Sequence, residues 1–245
     1  PEWWGRYQAL FACKDLAVVV EGPVMKSRLA ALGCPEEKIH VVPLCLDLGA
    51  PDLEPRQPHS GGGPVIGMVG RMVEKKGFAF ALRHLAPVLR AFPDTRIEIV
   101  GDGPERARIE ALIAQQGLGR QVRLKGMLPH ASLLADLRAW DALLVPSLTA
   151  ANGDSEGGAP TIVAEAQVIG TPVIASDHAD IPFSLADHSY MFKEGDDRSL
   201  AEAVSRFVRE RGGAYDRARA RARTLERHDR RAIGARYAAL YRGAR

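Results

Sequence analysis

A chain of 245 residues holds one large domain or two small ones. With 46% hydrophobic and 26% charged residues it has an ordinary globular composition, which excludes a disordered chain, a collagen-like fibre and a disulfide-stapled miniprotein. The net charge of +3 is too mild for a dedicated nucleic-acid binder, and no apolar run approaches the roughly 20 residues that span a bilayer. Cys13, Cys34 and Cys45 show neither metal-ligand spacing nor a disulfide framework, which points to a reducing cytoplasm. The opening Pro1-Glu2-Trp3-Trp4 has no initiator Met and no signal-like pattern, so a fragment or processed product is expected.

In chain order, residues 15–20 read as a strand and 24–32 as a helix closed by Gly33 with Pro35 just beyond. Residues 39–43 read as a second strand. These elements are too few to close a domain and read as the end of one. Residues 52–63, rich in Pro, Gly and polar side chains, read as a linker. Beyond it, strands are expected at 64–69, 96–100, 122–125, 142–145, 172–175 and 190–192. Helices are expected at 78–92, 105–116, 132–139, 162–169 and 198–211. Strands that are short Val/Ile/Leu runs alternating with helices predict an α/β fold, a parallel sheet covered on both faces. Ligands of such sheets sit beyond the carboxyl ends of the strands, so function is sought in the loops there. The arginine-rich stretch from Arg206, with interspersed Glu202, Glu210, Asp216, Glu226 and Asp229, reads as a solvated helical face. Residues 232–241 read as a terminal amphipathic helix.

Three loops could carry chemistry. After the first sheet strand comes Gly67-Met-Val-Gly70-Arg71, then Glu74-Lys75-Lys76-Gly77 at a helix start. Glycine admits close approach of a ligand to the backbone, a helix start offers unpaired N–H groups, and Arg71 and Lys76 add positive charge. A diphosphate suits that arrangement, and an exposed cation on an ordinary turn is the plain alternative. Gly101-Asp102-Gly103-Pro104 reads first as a tight turn into a helix. The longest loop, 146–160, contains Asn152, Asp154 and Glu156 and ends in Gly157-Gly158-Ala159-Pro160 before Thr161. Glu165 falls inside the apolar helix that follows, and a carboxylate there needs a partner: ligand hydroxyls, or a nearby cation. His130, His178 and His188 are expected at surface loop positions.

Four motifs in order carry a resemblance: Gly70-Arg-x-x-x-Lys-Lys-Gly77, Val100-Gly-Asp-Gly-Pro104, Glu156-Gly with Glu165-Ala, and Gly170-Thr-Pro-Val-Ile-Ala-Ser176. Together the chain resembles glycosyltransferase family 4. The resemblance implies a GT-B fold, with residues 64–228 as its Rossmann-like C-terminal, donor-binding domain. Residues 1–51 are then the remnant of a truncated N-terminal, acceptor-side domain, 52–63 the linker, and 229–245 a helix packing back on the N-terminal part. Asn152-Gly-Asp-Ser-Glu-Gly-Gly158 with His178-Ala-Asp-Ile-Pro182 is similar to the branch that builds bacterial exopolysaccharides.

The resemblance implies a retaining transfer of a sugar from a nucleoside diphosphate sugar, such as a UDP- or GDP-sugar, to the hydroxyl of a saccharide or lipid-linked acceptor. No other cofactor, no metal and no nucleic acid is implied. A cytoplasmic location is implied, with peripheral association at the inner face of the membrane as an option. Arg71, Lys76 and Glu156 take the catalytic positions. Gly70, Asp154, Gly157, Gly158, Ala159, Pro160 and Thr161 line the sugar and phosphates, Gly126 and Met127 lie near the base, and Glu165 takes the ribose. Eight residues separate Glu156 from Glu165 where the family has seven, so a bulge before the helix is expected, or a share of the work for Asp154 or a glycine amide. The competing readings are a non-catalytic nucleotide-sugar-binding module and a GT-B-like nucleotide-sugar epimerase.

Overall fold

The computed structural model describes residues 2–47 and 62–243, with side chains from Gly5 onward. Most of the expected linker therefore lies outside the described residues. The N-terminal segment holds α1 (Glu2–Phe11), β1 (Val18–Val20), α2 (Pro23–Ala31) and β2 (Ile39–Val41), with β1 and β2 forming a parallel pair. Both strands are shorter than the sequence suggests, because pairing with a single three-residue neighbour defines them. Phe11, Val20, Cys34 and Ile39 form a small core there.

The larger part is a six-stranded parallel sheet in the order β5 (Val122–Gly126), β4 (Arg96–Val100), β3 (Val65–Val69), β6 (Ala142–Val145), β7 (Val173–Ser176), β8 (Met191–Phe192). Successive residues of each strand point to opposite faces, and each face has its own apolar core. Ile66, Met68, Ile97, Ile99, Leu144 and Ile174 pack beneath α3 (Phe78–Ala91), α4 (Arg106–Gln115) and α8 (Asp197–Glu210). Leu143, Val145, Val173 and Ala175 pack beneath α5 (His130–Ala139) and α6 (Thr161–Ile169), against which α9 (Arg217–Arg227) lies. At Gly67 a Cβ would fall 1.9 Å from Trp140, so the missing side chain is what admits the indole onto the sheet. Helix α8 shows how the pattern works: Leu200, Ala203, Val204, Phe207 and Val208 are buried at helical spacing, and Asp196 caps the start by accepting the Ser199 N–H at 2.9 Å.

The arginine-rich stretch departs from expectation in part. It forms α9 and α10 (Arg230–Gly243), and Arg219 and Arg223 are exposed. Arg221 and Arg227, however, turn inward: their Nη1 groups donate to the carbonyls of Val168 and Phe183, and Arg227 stacks over the Phe183 ring at 4.8 Å. Guanidinium groups here dock one helix on the fold, because the carbonyls at the end of α6 and in the short helix α7 (Ile181–Ser184) need donors.

The two parts of the chain touch at named groups. Asp180, after β7, accepts the N–H groups of Val24 (2.8 Å) and Met25 (3.3 Å) and so caps α2 from across the boundary. His228 Nδ1 donates to Leu44 O at 2.7 Å, while its buried Nε2 has no hydrogen-bond partner among the described residues. Burial, with Arg227 beside it, pushes the His228 pKa below the ordinary histidine value. The unfolded chain therefore takes up this proton more readily than the folded one, and stability is lost as pH falls below about 6.5. Urea unfolding is expected to show a midpoint that drops between pH 7.5 and 5.5, with a smaller drop in His228→Asn.

Candidate active site

Strand β3 lies at the middle of the sheet. The chain moves from it to β4 and β5 on one side and returns through β6, β7 and β8 on the other, so the crevice at the carboxyl ends of β3 and β6 is the switch point of the topology. The loops that carry the candidate residues converge there. After β3, Gly70 adopts φ +152 and Gly77 φ +68, and a Cβ at Gly77 would lie 1.8 Å from Pro146 O. Only glycine lets the β3 loop close on the β6 loop at that point. The Leu148 N–H donating to Lys75 O at 2.9 Å joins the same two loops. The β4 loop closes on the β3 loop in the same manner: a Cβ at Gly101 would lie 1.9 Å from Gly70 O.

Glu156 is 8% exposed. Its Oε1 lies 2.7 Å from Lys76 Nζ and accepts the Ser147 hydroxyl at 3.1 Å. The Lys76 stem passes over Gly70, near where a Cβ would be. Asp154 instead engages the neighbouring lysine, with Lys75 Nζ 3.0 Å from Asp154 Oδ1 and 3.1 Å from Ser155 O. Arg71 is exposed at the mouth of the crevice, and no ion pair to it occurs among the described residues. Gly70, Lys76 and Glu156 thus come together, with the Lys75–Asp154 pair beside them and Arg71 next to Gly70 in the chain.

The other candidates fall into two adjoining groups. Gly126, at φ +70, ends β5 and accepts the Gly101 N–H at 2.8 Å through its carbonyl, and Met127 beside it is 73% exposed. Glu165 faces this end of the sheet. Its partner is neither an arginine nor a second carboxylate but His130, with Nε2 3.0 Å from Oε1. Ala159, Pro160 and Thr161 lie apart from Lys76. They line a small cleft against the N-terminal segment, with Glu21, Leu44, Asp180 and His228 on its other walls. Burial and nearby Asp180 push the Glu21 carboxyl above its ordinary pKa. Gly158 packs under Glu21, since a Cβ there would lie 2.3 Å from Oε2. Residues 157–160 are outside the helix, and α6 begins at Thr161.

Two histidines behave differently from the sequence expectation. His130 is exposed as expected, yet it opens α5 and pairs with Glu165. His178 corrects the expectation outright: it is 1% exposed, folded beneath the 146–160 loop, where Nε2 accepts the Glu156 N–H at 3.1 Å. No local pattern marks a residue that another loop covers. Its place directly after a sheet strand, at the ligand-facing edge, was the available signal. His188 is exposed, as expected.

A parallel sheet of this order with helices on both faces defines a doubly wound α/β protein. The family model for glycosyl transferases group 1 matches residues 51–225, and the chain belongs to that family. Over 204 residues it is 34% identical to WcaL of Escherichia coli (strain K12), assigned by name to colanic acid biosynthesis, across 82% of this chain and 49% of WcaL. Over 203 residues it is 32% identical to the amylovoran biosynthesis glycosyltransferase AmsK of Erwinia amylovora, across 82% of this chain and 49% of AmsK. The chain spans about half the length of these curated relatives. Among solved structures, a glycosyltransferase from Rickettsia africae ESF-5 superposes with a TM-score of 0.82 at 16% identity, over 98% of this chain and 67% of that one. Anabaena Alr3699/HepE in complex with UDP superposes with 0.78 at 18%, over 93% and 64%. These likenesses establish the shared GT-B glycosyltransferase fold.

No helix of the described residues is long and apolar enough to cross a membrane.

Proposed function

We propose that this chain forms the donor-binding half of a retaining glycosyltransferase that takes a sugar from a nucleoside diphosphate sugar and passes it to a hydroxyl of a saccharide or lipid-linked acceptor in polysaccharide assembly. The observation that carries this reading is the crevice at β3 and β6, where Lys76 is held at 2.7 Å by buried Glu156 while Arg71 stands beside it without an ion pair among the described residues. Relatives named for colanic acid and amylovoran biosynthesis, and a structural neighbour crystallised with UDP, support the substrate class.

In this reading the diphosphate lies over Gly70, between Arg71 and Lys76. Cleavage of the sugar–phosphate bond leaves negative charge on the diphosphate, and fixed cations placed where that charge grows lower the barrier. Glu156 orients Lys76 and offers its carboxylate edge to the sugar. Glu165 accepts from the ribose hydroxyls, with His130 aligning it until they arrive. Met127 offers an apolar surface to the base. Ala159, Pro160 and Thr161, on the cleft toward the N-terminal segment, face the side from which an acceptor approaches.

Calorimetric titration with UDP-glucose and GDP-mannose tests the reading: saturable binding of a nucleotide sugar is expected, and binding of neither would overturn it. Replacing Glu165 by Ala removes a charged hydrogen-bond acceptor worth about 1.5–3 kcal/mol, so affinity is expected to fall about tenfold or more. Equal affinity in that variant would remove Glu165 from the ribose site.

A further inference from the structure

The loop that carries Glu156 is held from two sides. On the β3 side, Lys75 grips Asp154 and Ser155, and Glu74 Oε1 accepts the Ala151 N–H at 3.1 Å. On the β7 side the contact is made by His178, whose Nε2 accepts the Glu156 N–H at 3.1 Å. An accepting Nε2 has no proton, so the ring is neutral and its proton sits on Nδ1. Nδ1 lies 2.9 Å from Glu194 Oε2, a close contact outside hydrogen-bond geometry.

Glu194 in turn joins the loop's other arm. Its Oε1 accepts the Thr149 N–H at 2.5 Å, and its own N–H donates to Asp177 Oδ1 at 2.6 Å. Burial alone would raise the Glu194 carboxyl pKa, but the contacts from His178 and Thr149 outweigh it and hold it below the ordinary range. Both arms of the loop are thus fastened to one carboxylate, Thr149 directly and Glu156 through the imidazole. A nonpolar side chain in place of His178 would leave the Glu156 N–H buried without this acceptor.

We propose that His178, braced by Glu194, is a positioning residue that fixes the backbone of Glu156 through its amide and so sets the Glu156 carboxylate against Lys76. The consequence for donor binding rests on the function proposed above, whereas the consequence for the loop does not. The distinction decides the test.

Nuclear magnetic resonance on the whole chain reads both. Long-range proton–nitrogen spectra are expected to show His178 in the Nδ1–H form, and a proton on Nε2 in the neutral ring would overturn the proposal. Hydrogen exchange of the Glu156 amide is expected to quicken at least tenfold in His178→Ala, with the amides of β6 and of the core of α6 unchanged. His178→Gln places a carbonyl oxygen within reach of the same amide and is expected to restore slow exchange. Affinity for UDP-glucose or GDP-mannose should fall about tenfold in the Ala variant and recover in the Gln variant. Unchanged Glu156 exchange, or exchange that quickens equally throughout the chain, would overturn the proposal. Should the Glu156 amide alone respond while the wild-type chain binds no nucleotide sugar, the positioning role stands and the donor reading falls. If the Ala variant does not fold, the spectrum of the wild-type imidazole and the Gln variant still decide.

Discussion

On the function proposed above, Arg71→Ala and Lys76→Ala in the full-length enzyme are each expected to lower sugar transfer by about a hundredfold or more, the usual cost of removing one fixed electrostatic contact to a developing charge. The two variants should differ in stability, and the structure says why. Arg71 is exposed and has no ion pair among the described residues, so its removal should leave the urea midpoint nearly unchanged. Lys76 neutralises Glu156, which is buried. Its removal leaves the carboxylate with the Ser147 hydroxyl as its one side-chain partner among the described residues, and about 3 kcal/mol of stability is expected to go with it. Transfer rates measured beside urea unfolding check both statements. Full activity in both variants would remove the crevice from the reaction.

Gly77→Ala is expected to cost the most stability for the smallest change of side chain. The backbone at Gly77 is left-handed, which an L side chain resists by roughly 1–2 kcal/mol. The added Cβ would also stand 1.8 Å from Pro146 O, a backbone atom that cannot swing aside. Strain and clash together should exceed about 3 kcal/mol, or the β3 and β6 loops should separate. Urea unfolding reads the first outcome. The second would appear as loss of nucleotide binding in a folded chain, because Lys76 and Glu156 stand on the two loops that part. Wild-type stability together with wild-type binding would show that the loops do not meet at Gly77.

Much of the fold was legible because it rests on local periodicity. Short Val/Ile/Leu runs set the strands, helical spacing in α3 and α8 set the buried faces, and glycines at 70, 77, 101 and 126 marked the turns. The site was legible to the level of residue lists. That Gly70, Arg71 and Lys76 follow one strand, and Asp154 and Glu156 another, is visible in the order of the chain. Which lysine meets which carboxylate is not: Lys76 goes to Glu156 and Lys75 to Asp154 because of the way two loops far apart in sequence close on each other. The arginines of α9 show the same limit. Their spacing suggested solvent, yet Arg221 and Arg227 reach carbonyls on α6 and α7 that no linear pattern reveals.

By itself, then, the sequence determined the α/β architecture, the family resemblance and the edge of the sheet at which chemistry belongs, since each depends on interactions between near neighbours in the chain. Tertiary structure alone decided the partners: His130 with Glu165, His178 beneath Glu156, Asp180 on the start of α2. Each of those contacts joins groups from different loops or helices, and its energy depends on burial and distance that exist only once the sheet has brought the strand ends side by side.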